Sequence, residues 1–107
     1  KADPSANAQE AVADYGLLVV ALYQNAWIVP ADVADSGIVA QATITVSRDG
    51  RVTEARLTKS SGKAGLDKSI QSALNRVKTI APFPPADKER ERTFIIDFNL
   101  KAKRLLG

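Results

Sequence analysis

The segment VAQATITVSRDGRVTEARLTKSSG, residues 39–62, reads as a single β-hairpin. Ala40, Ala42, Ile44 and Val46 alternate with Val39, Gln41, Thr43, Thr45 and Ser47, the two-residue period of a strand with one buried face. Asp49-Gly50 marks the turn, because a two-residue hairpin loop needs positive φ at both central positions. A turn on that pair predicts Val46 opposite Thr53, Ile44 opposite Ala55 and Ala42 opposite Leu57. The apolar side chains then share one face, with Thr43, Thr45, Glu54 and Arg56 on the other. A slip of one residue would carry Glu54 and Arg56 into the apolar set, so pattern and turn specify one register. An isolated hairpin is marginal in water, so the flanking chain must cover its apolar face.

On the N-terminal side, residues 1–7 are small and polar and read as the remnant of a linker, with the domain proper spanning 8–107. A helix is expected from Ala8 to about Ala26, where Val12, Tyr15, Val19 and Leu22 recur at steps of three and four beside Leu18. Gly16 weakens it by ~1 kcal/mol relative to Ala. Pro30 ends it, and Asp32 to Gly37 form a loop.

On the C-terminal side, Ser60-Ser61-Gly62 turns the chain out of the hairpin, satisfying free backbone groups at the start of a helix. That helix is expected from Gly65 to Thr79, with Leu66, Ile70, Ala73, Leu74 and Val77 as its apolar stripe. Asp67 sits in its first turn, where the helix dipole favours a carboxylate. The prolines of Ala81-Pro82-Phe83-Pro84-Pro85 stop it. Asp87 to Arg92 (DKERER) reads as a solvated loop or frayed strand end. Thr93 to Leu100 is a strand in which Phe94, Ile96, Phe98 and Leu100 alternate with Thr93, Ile95, Asp97 and Asn99. The basic tail after it, Lys101 to Gly107, has no assignment.

The order helix-strand-strand-helix-strand implies an α+β fold. A right-handed crossover sets the third strand parallel to the second and beside the first. The sheet is then antiparallel and three-stranded, in order 2-1-3. Both helices must cover its single apolar face, which leaves the second and third strands as open edges.

Composition narrows the chemistry. The chain has 107 residues, 45% apolar and 25% charged, enough for one domain burying roughly 65% of its unfolded surface. It contains no Cys and no His, which removes the thiol nucleophile, the commonest general base and the commonest metal ligands. Ser60 or Ser61 beside Lys63 could only be a Ser–Lys pair by accident of a turn, with no oxyanion motif to follow, and no carboxylate pair stands at a usable spacing. The reading is of a protein that is not an enzyme and takes neither cofactor nor metal. A net charge of +3 and a pI near 9.4 raise nucleic acid as a partner, with Arg48, Arg51 and Arg56 on or near the hairpin. Stacking aromatics are absent from the exposed sheet face, since Phe94 and Phe98 point to the core, so nucleic acid is not expected.

Taken in order, Tyr23-x-x-x-Trp27-x-x-Pro30, Asp49-Gly50-x-Val52, Ser60-Ser61-Gly62-x-x-x-Leu66-Asp67 and Phe83-Pro84 resemble the C-terminal periplasmic domain of the TonB/TolA family. The resemblance covers roughly Tyr15 to Leu100. It implies a periplasmic domain of an energy transducer of the Gram-negative cell envelope. In that family an N-terminal segment anchors the protein in the inner membrane and couples it to a motor complex driven by the proton gradient. This chain would then be a piece of a longer one. TonB-type domains bind the TonB box of an outer-membrane receptor by strand addition and transmit force. TolA-type domains engage Tol-system proteins, colicins or phage coat proteins. The compact link from Phe83-Pro84-Pro85 to the last strand favours the TonB type.

The resemblance makes Thr93, Ile95, Asp97 and Asn99 the expected partner-binding edge, with Ile95 the telling residue: a large apolar group turned away from the helices has little reason to be there uncovered. Tyr23, Trp27, Pro30, Asp49, Gly50, Ser60, Ser61, Gly62, Phe83 and Pro84 are expected to be architectural, with Trp27 at a helix end also able to line a peptide groove. Open edges can also pair with each other in a strand-exchanged homodimer.

Overall fold

The computed structural model of the chain describes residues 4–33 and 39–106. Helix α1 (Pro4–Ala26) is followed by strands β1 (Val39–Ser47) and β2 (Val52–Lys59), helix α2 (Ala64–Arg76), strand β3 (Glu91–Asn99) and a short helix α3 (Leu100–Leu106). The sheet is antiparallel in order β2-β1-β3, as the alternation and the crossover require. The α+β architecture is therefore the expected one, with α3 added in the basic tail that had no assignment. Part of the expected 32–37 loop, residues 34–37, lies outside the described residues.

Ala40, Ala42, Ile44 and Val46 are fully buried on the helix face of β1, and α1 supplies Tyr15, Val19 and Tyr23 against them, with Trp27 just past its end. From α2 come Leu66, Ile70, Ala73 and Leu74, and from β3 Ile96 and Phe98. Trp27 meets Phe98 edge-on with ring centroids 5.2 Å apart, and its indole N–H donates to Ser69 Oγ at 2.9 Å. A side chain 2% exposed and hydrogen-bonded inside cannot line a surface groove, which corrects that part of the expectation for Trp27. Leu18 of the expected α1 stripe is 39% exposed, because the helix turns Tyr15, Val19 and Tyr23 inward and leaves Leu18 at the margin.

The hairpin register holds through Ala42↔Leu57 and Ile44↔Ala55 but changes next to the turn. Val46 faces Val52, not Thr53, and Thr53 is the extra residue of a bulge. The loop has three residues: Gly50 N–H donates to the Ser47 carbonyl and Ser47 N–H to the Arg51 carbonyl, both at 2.9 Å. Only Gly50 takes a positive φ (92°), so Asp49 escapes the left-handed region that a two-residue turn would impose on it. Asp49 instead accepts from Ser47 Oγ and from the Arg51 backbone N–H.

Helix α1 starts at Pro4, ahead of the expected Ala8, and α2 ends at Arg76, short of Thr79 and well before the prolines. A competing set of backbone hydrogen bonds ends α2. Val52 N–H donates to the Lys78 carbonyl (3.0 Å), Ile80 N–H to the Gly50 carbonyl (2.7 Å), and Arg51 bridges Thr79. The extended 78–80 segment thus covers the outer edge of β2 nearest the turn. Ser60, Ser61 and Asp67 close the other end of the crossover: Ser60 Oγ donates to Asp67 Oδ2 (2.5 Å), while Ser61 N–H and Oγ donate to Asp67 Oδ1 (2.8 and 2.6 Å). Those donors hold the Asp67 carboxyl below its ordinary pKa against the opposing effect of burial. Gly62, at φ 83°, makes the turn between them and α2.

Strand β3 begins at Glu91 and gives up Leu100 to α3, whose first turn is capped by Asn99 Oδ1 accepting from Ala102 N–H at 3.0 Å. In the charged link Lys88 to Arg90 form an exposed loop and Glu91 and Arg92 open β3, as expected, but Asp87 is not solvated. Asp87 is 3% exposed and receives Arg92 at both oxygens, 2.6 and 2.9 Å.

Candidate functional site

β1 is paired on both sides, so the sheet's free backbone groups lie on β2 and β3. Arg48 N–H donates to the Arg90 carbonyl, which sets the phase of the β1–β3 ladder. By antiparallel alternation Arg92, Phe94, Ile96 and Phe98 aim their N–H and C=O at β1. Thr93, Ile95, Asp97 and Asn99 therefore aim theirs outward, and their side chains lie on the face away from the helices. Among the described residues no strand pairs with this edge.

Helix α1 flanks the edge. Val12 and Ala13 line a groove with Ala86, Lys88 and Arg92, while Val20 and Gln24 line another with Asp97 and Asn99. Ala13 to Gln24 spans about 16 Å of helix and Arg92 to Asp97 about 17 Å of strand, so helix and edge run side by side for that length. Leu17, 69% exposed, and Val20, 37% exposed, lie on that flank. The edge is thus a trough with an outward-facing backbone and one apolar wall.

Its four expected contact residues are not equally free. Thr93 Oγ1 lies 3.2 Å from Thr45 Oγ1, Asp97 Oδ1 accepts from Gln41 Nε2 at 2.8 Å, and Asn99 caps α3. Ile95 packs on nothing comparable and is 67% exposed. Of the architectural residues, Tyr23, Trp27, Gly50, Ser61 and Phe83 are buried, Phe83 edge-on to Tyr15 at 5.2 Å. Pro30 and Pro84 are half-buried, and Asp49, Ser60 and Gly62 are exposed turn residues.

Gln24 was not legible as part of this edge. Its Nε2 donates to the outward carbonyl of Asp97 at 2.8 Å, and its own carbonyl accepts Lys103 Nζ at 2.5 Å. A Gln on a helix flank carries no signal of a partner 73 residues away. Arg76 reaches the Ala26 carbonyl (2.7 Å), and Arg104 those of Pro30 and Val33 (3.2 and 2.6 Å). Cations from α2 and α3 therefore gather on carbonyls at and beyond the negative end of α1, where the helix dipole favours them. This gives the basic tail a structural role.

A small α+β domain whose sheet ends in an unpaired, partly apolar edge is the class of fold suited to binding another chain through its backbone. A family model described as the TonB C terminal matches residues 12–98, and the chain belongs to that family. Among solved structures it is similar to TolAIII bound to a peptide derived from the N-terminus of TolB. The two are 25% identical with a TM-score of 0.56, over 78% of this chain and 71% of that one. No curated protein sequence matches it.

Proposed function

We propose that this domain is a non-enzymatic adaptor of the cell envelope that grips an extended peptide along the outer edge of β3. The observation that carries the reading is the outward backbone of Thr93 and Ile95, with the Ile95 side chain left 67% exposed. A peptide strand added there would gain ladder hydrogen bonds and cover that side chain. Membership of the TonB C-terminal family and the peptide bound by the similar TolAIII support it. Pulled along its axis, such a strand loads its hydrogen bonds in shear, which suits a transducer of force from a proton-driven inner-membrane motor. Periplasmic location, an N-terminal anchor and a folded unit over residues 8–107 go with the same reading. The partner proposed is the TonB box of an outer-membrane receptor; a Tol-system protein is the alternative within the family.

The test is a backbone amide NMR titration with a receptor plug-segment peptide and, separately, the TolB N-terminal peptide, each on wild type and Ile95→Pro. The Ile95 N–H points away from β1, so proline removes a rung of the added ladder and none of the native one. Shifts centred on Thr93–Asp97, lost by at least tenfold in affinity in an Ile95→Pro protein with unchanged circular dichroism, are expected. Binding that survives in that folded variant would place the partner elsewhere. Response to the receptor peptide alone supports the TonB type, and to the TolB peptide alone the TolA type.

A further inference from the structure

The outward edge of β3 is not uniformly open. At the Glu91 end it continues into the groove lined by Val12, Ala13, Ala86 and Lys88. At the other end the Asp97 carbonyl already holds Gln24 Nε2 at 2.8 Å, the Asp97 carboxylate holds Gln41, and Asn99 is spent on capping α3. Gln24 projects from α1 at the height where the backbone N–H of a fourth strand would have to come. Its side-chain amide offers the Asp97 carbonyl the same kind of donor that a peptide would.

Resting on the peptide-edge reading above, we infer that Gln24 is a stop for the added strand. The partner pairs with Glu91, Thr93 and Ile95 and leaves the sheet level with Asp97. Hydrogen-bond exchange is the reason. A peptide that continues past Ile95 must displace the Gln24 amide to reach the Asp97 carbonyl, and it then makes one bond in place of the one it broke. The carbonyl half of that rung then gains nothing and only the outward Asp97 N–H is left to add a bond, whereas the N–H and C=O of Thr93 and Ile95 both exchange water for the peptide and contribute. Lys103 on the Gln24 carbonyl and Arg76 on the Ala26 carbonyl hold this end of α1 in place, so the amide is presented from a fixed backbone. The site therefore selects an extended peptide by length as well as by its alternating side chains. Segments longer than the Glu91–Ile95 stretch gain at this end no more than the bond to the Asp97 N–H.

The experiment compares wild type with Gln24→Ala, using the TolB N-terminal peptide and the receptor plug-segment peptide, each in full length and cut to end level with Ile95. Amide exchange and affinity are read by NMR. In wild type the bound peptide should protect the Thr93 and Ile95 amides more than that of Asp97 and leave Asn99 exchanging as before, with the full peptide bound at most about fivefold tighter than the cut one. In Gln24→Ala protection should extend to Asp97, and the full-length peptide alone should bind about fivefold tighter, what one net hydrogen bond is worth. Protection reaching Asn99 in wild type, or no difference between the proteins, would overturn the stop and leave the peptide edge standing. No binding of either peptide by either protein would remove the edge reading and the stop with it. The free protein gives a separate check: a Gln24 side-chain amide proton should be shifted and slow to exchange. Two freely averaging amide protons would overturn the inference without any peptide.

Discussion

Arg92 reaches the two oxygens of Asp87 at 2.6 and 2.9 Å from within a run of charges, DKERER, that the sequence presents as solvated. The Asp87 side chain is 1% exposed and that of Arg92 31%, so the pair is anchored inside and open on one side. Glu89 N–H also donates to Asp87 Oδ1, and Arg48 donates to the Asp87 carbonyl. The pair therefore clasps the loop to both the hairpin turn and the start of β3.

Hydrogen bonds from Arg92, opposed by burial, hold the Asp87 carboxyl below its ordinary pKa, and the serine donors do the same at Asp67. A depressed carboxylate contributes stability above its unfolded value of 3.8, and that stability is lost as pH falls through the lower folded value. The thermal midpoint should be flat above about pH 5 and fall below about pH 4. Asp87→Ala should cost about 2 kcal/mol at neutral pH, since charged hydrogen bonds are lost while Arg92 keeps access to water. It should also flatten the acid limb. Thermal melts from pH 2 to 7 on both proteins decide it, and an unchanged acid limb would assign the effect to other groups.

Gly50 has no room for a side chain. A Cβ built there falls 2.0 Å from the Ile80 carbonyl oxygen, and φ is +92°. Gly50→Ala should cost about 3 kcal/mol or more, because strain and clash add and the 78–80 segment must leave the β2 edge. Gly62 serves as the control: it shares the left-handed φ (+83°) with nothing within 4 Å of its Cβ. Gly62→Ala should cost only the strain, about 1–2 kcal/mol. Equal losses in denaturant titrations would mean that the contact with Ile80 yields.

Gly16 should behave in the opposite way. It lies inside α1, and an added methyl meets Phe94 Cε1 at 3.7 Å, an ordinary contact. Gly16→Ala should raise stability by about 0.5–1 kcal/mol through a smaller loss of chain entropy. A loss of stability would show that the helix cannot take a methyl above β3.

Tyr23 is fully buried, and its hydroxyl has no hydrogen-bond partner among the described residues; burial pushes its pKa up to about 12. A hydroxyl desolvated without a partner is a cost, so Tyr23→Phe should raise stability by about 1 kcal/mol. A drop in the melting temperature would show that the hydroxyl is satisfied in solution.

Much of this architecture is legible in the chain because it depends on short-range periodicity. The alternation from Val39 to Ser47 fixes which face of β1 is buried, and a one-residue slip would bury Glu54 and Arg56. The α2 stripe of Leu66, Ile70, Ala73 and Leu74 and the alternation of β3 are decided in the same local way, and the crossover rule then sets the order 2-1-3. The ordered motifs around Trp27, Asp49-Gly50 and Ser60-Ser61-Gly62 were enough to indicate the family that the match over residues 12–98 establishes.

What the tertiary structure alone decided are contacts between residues far apart in the chain, where no periodicity reports a partner. Thr53 bulges and Asp49 stays out of the left-handed region in a three-residue loop on which the 78–80 segment docks. The end of α2 follows from that docking and not from the prolines. Asp87 is buried because Arg92 and Arg48 meet it from two other segments, although the residues that follow it in sequence are all charged as far as Arg92. Along β3 the sequence determined which residues face outward. Only the fold decided that Gln24 closes one end of that edge and leaves Ile95 bare in its middle.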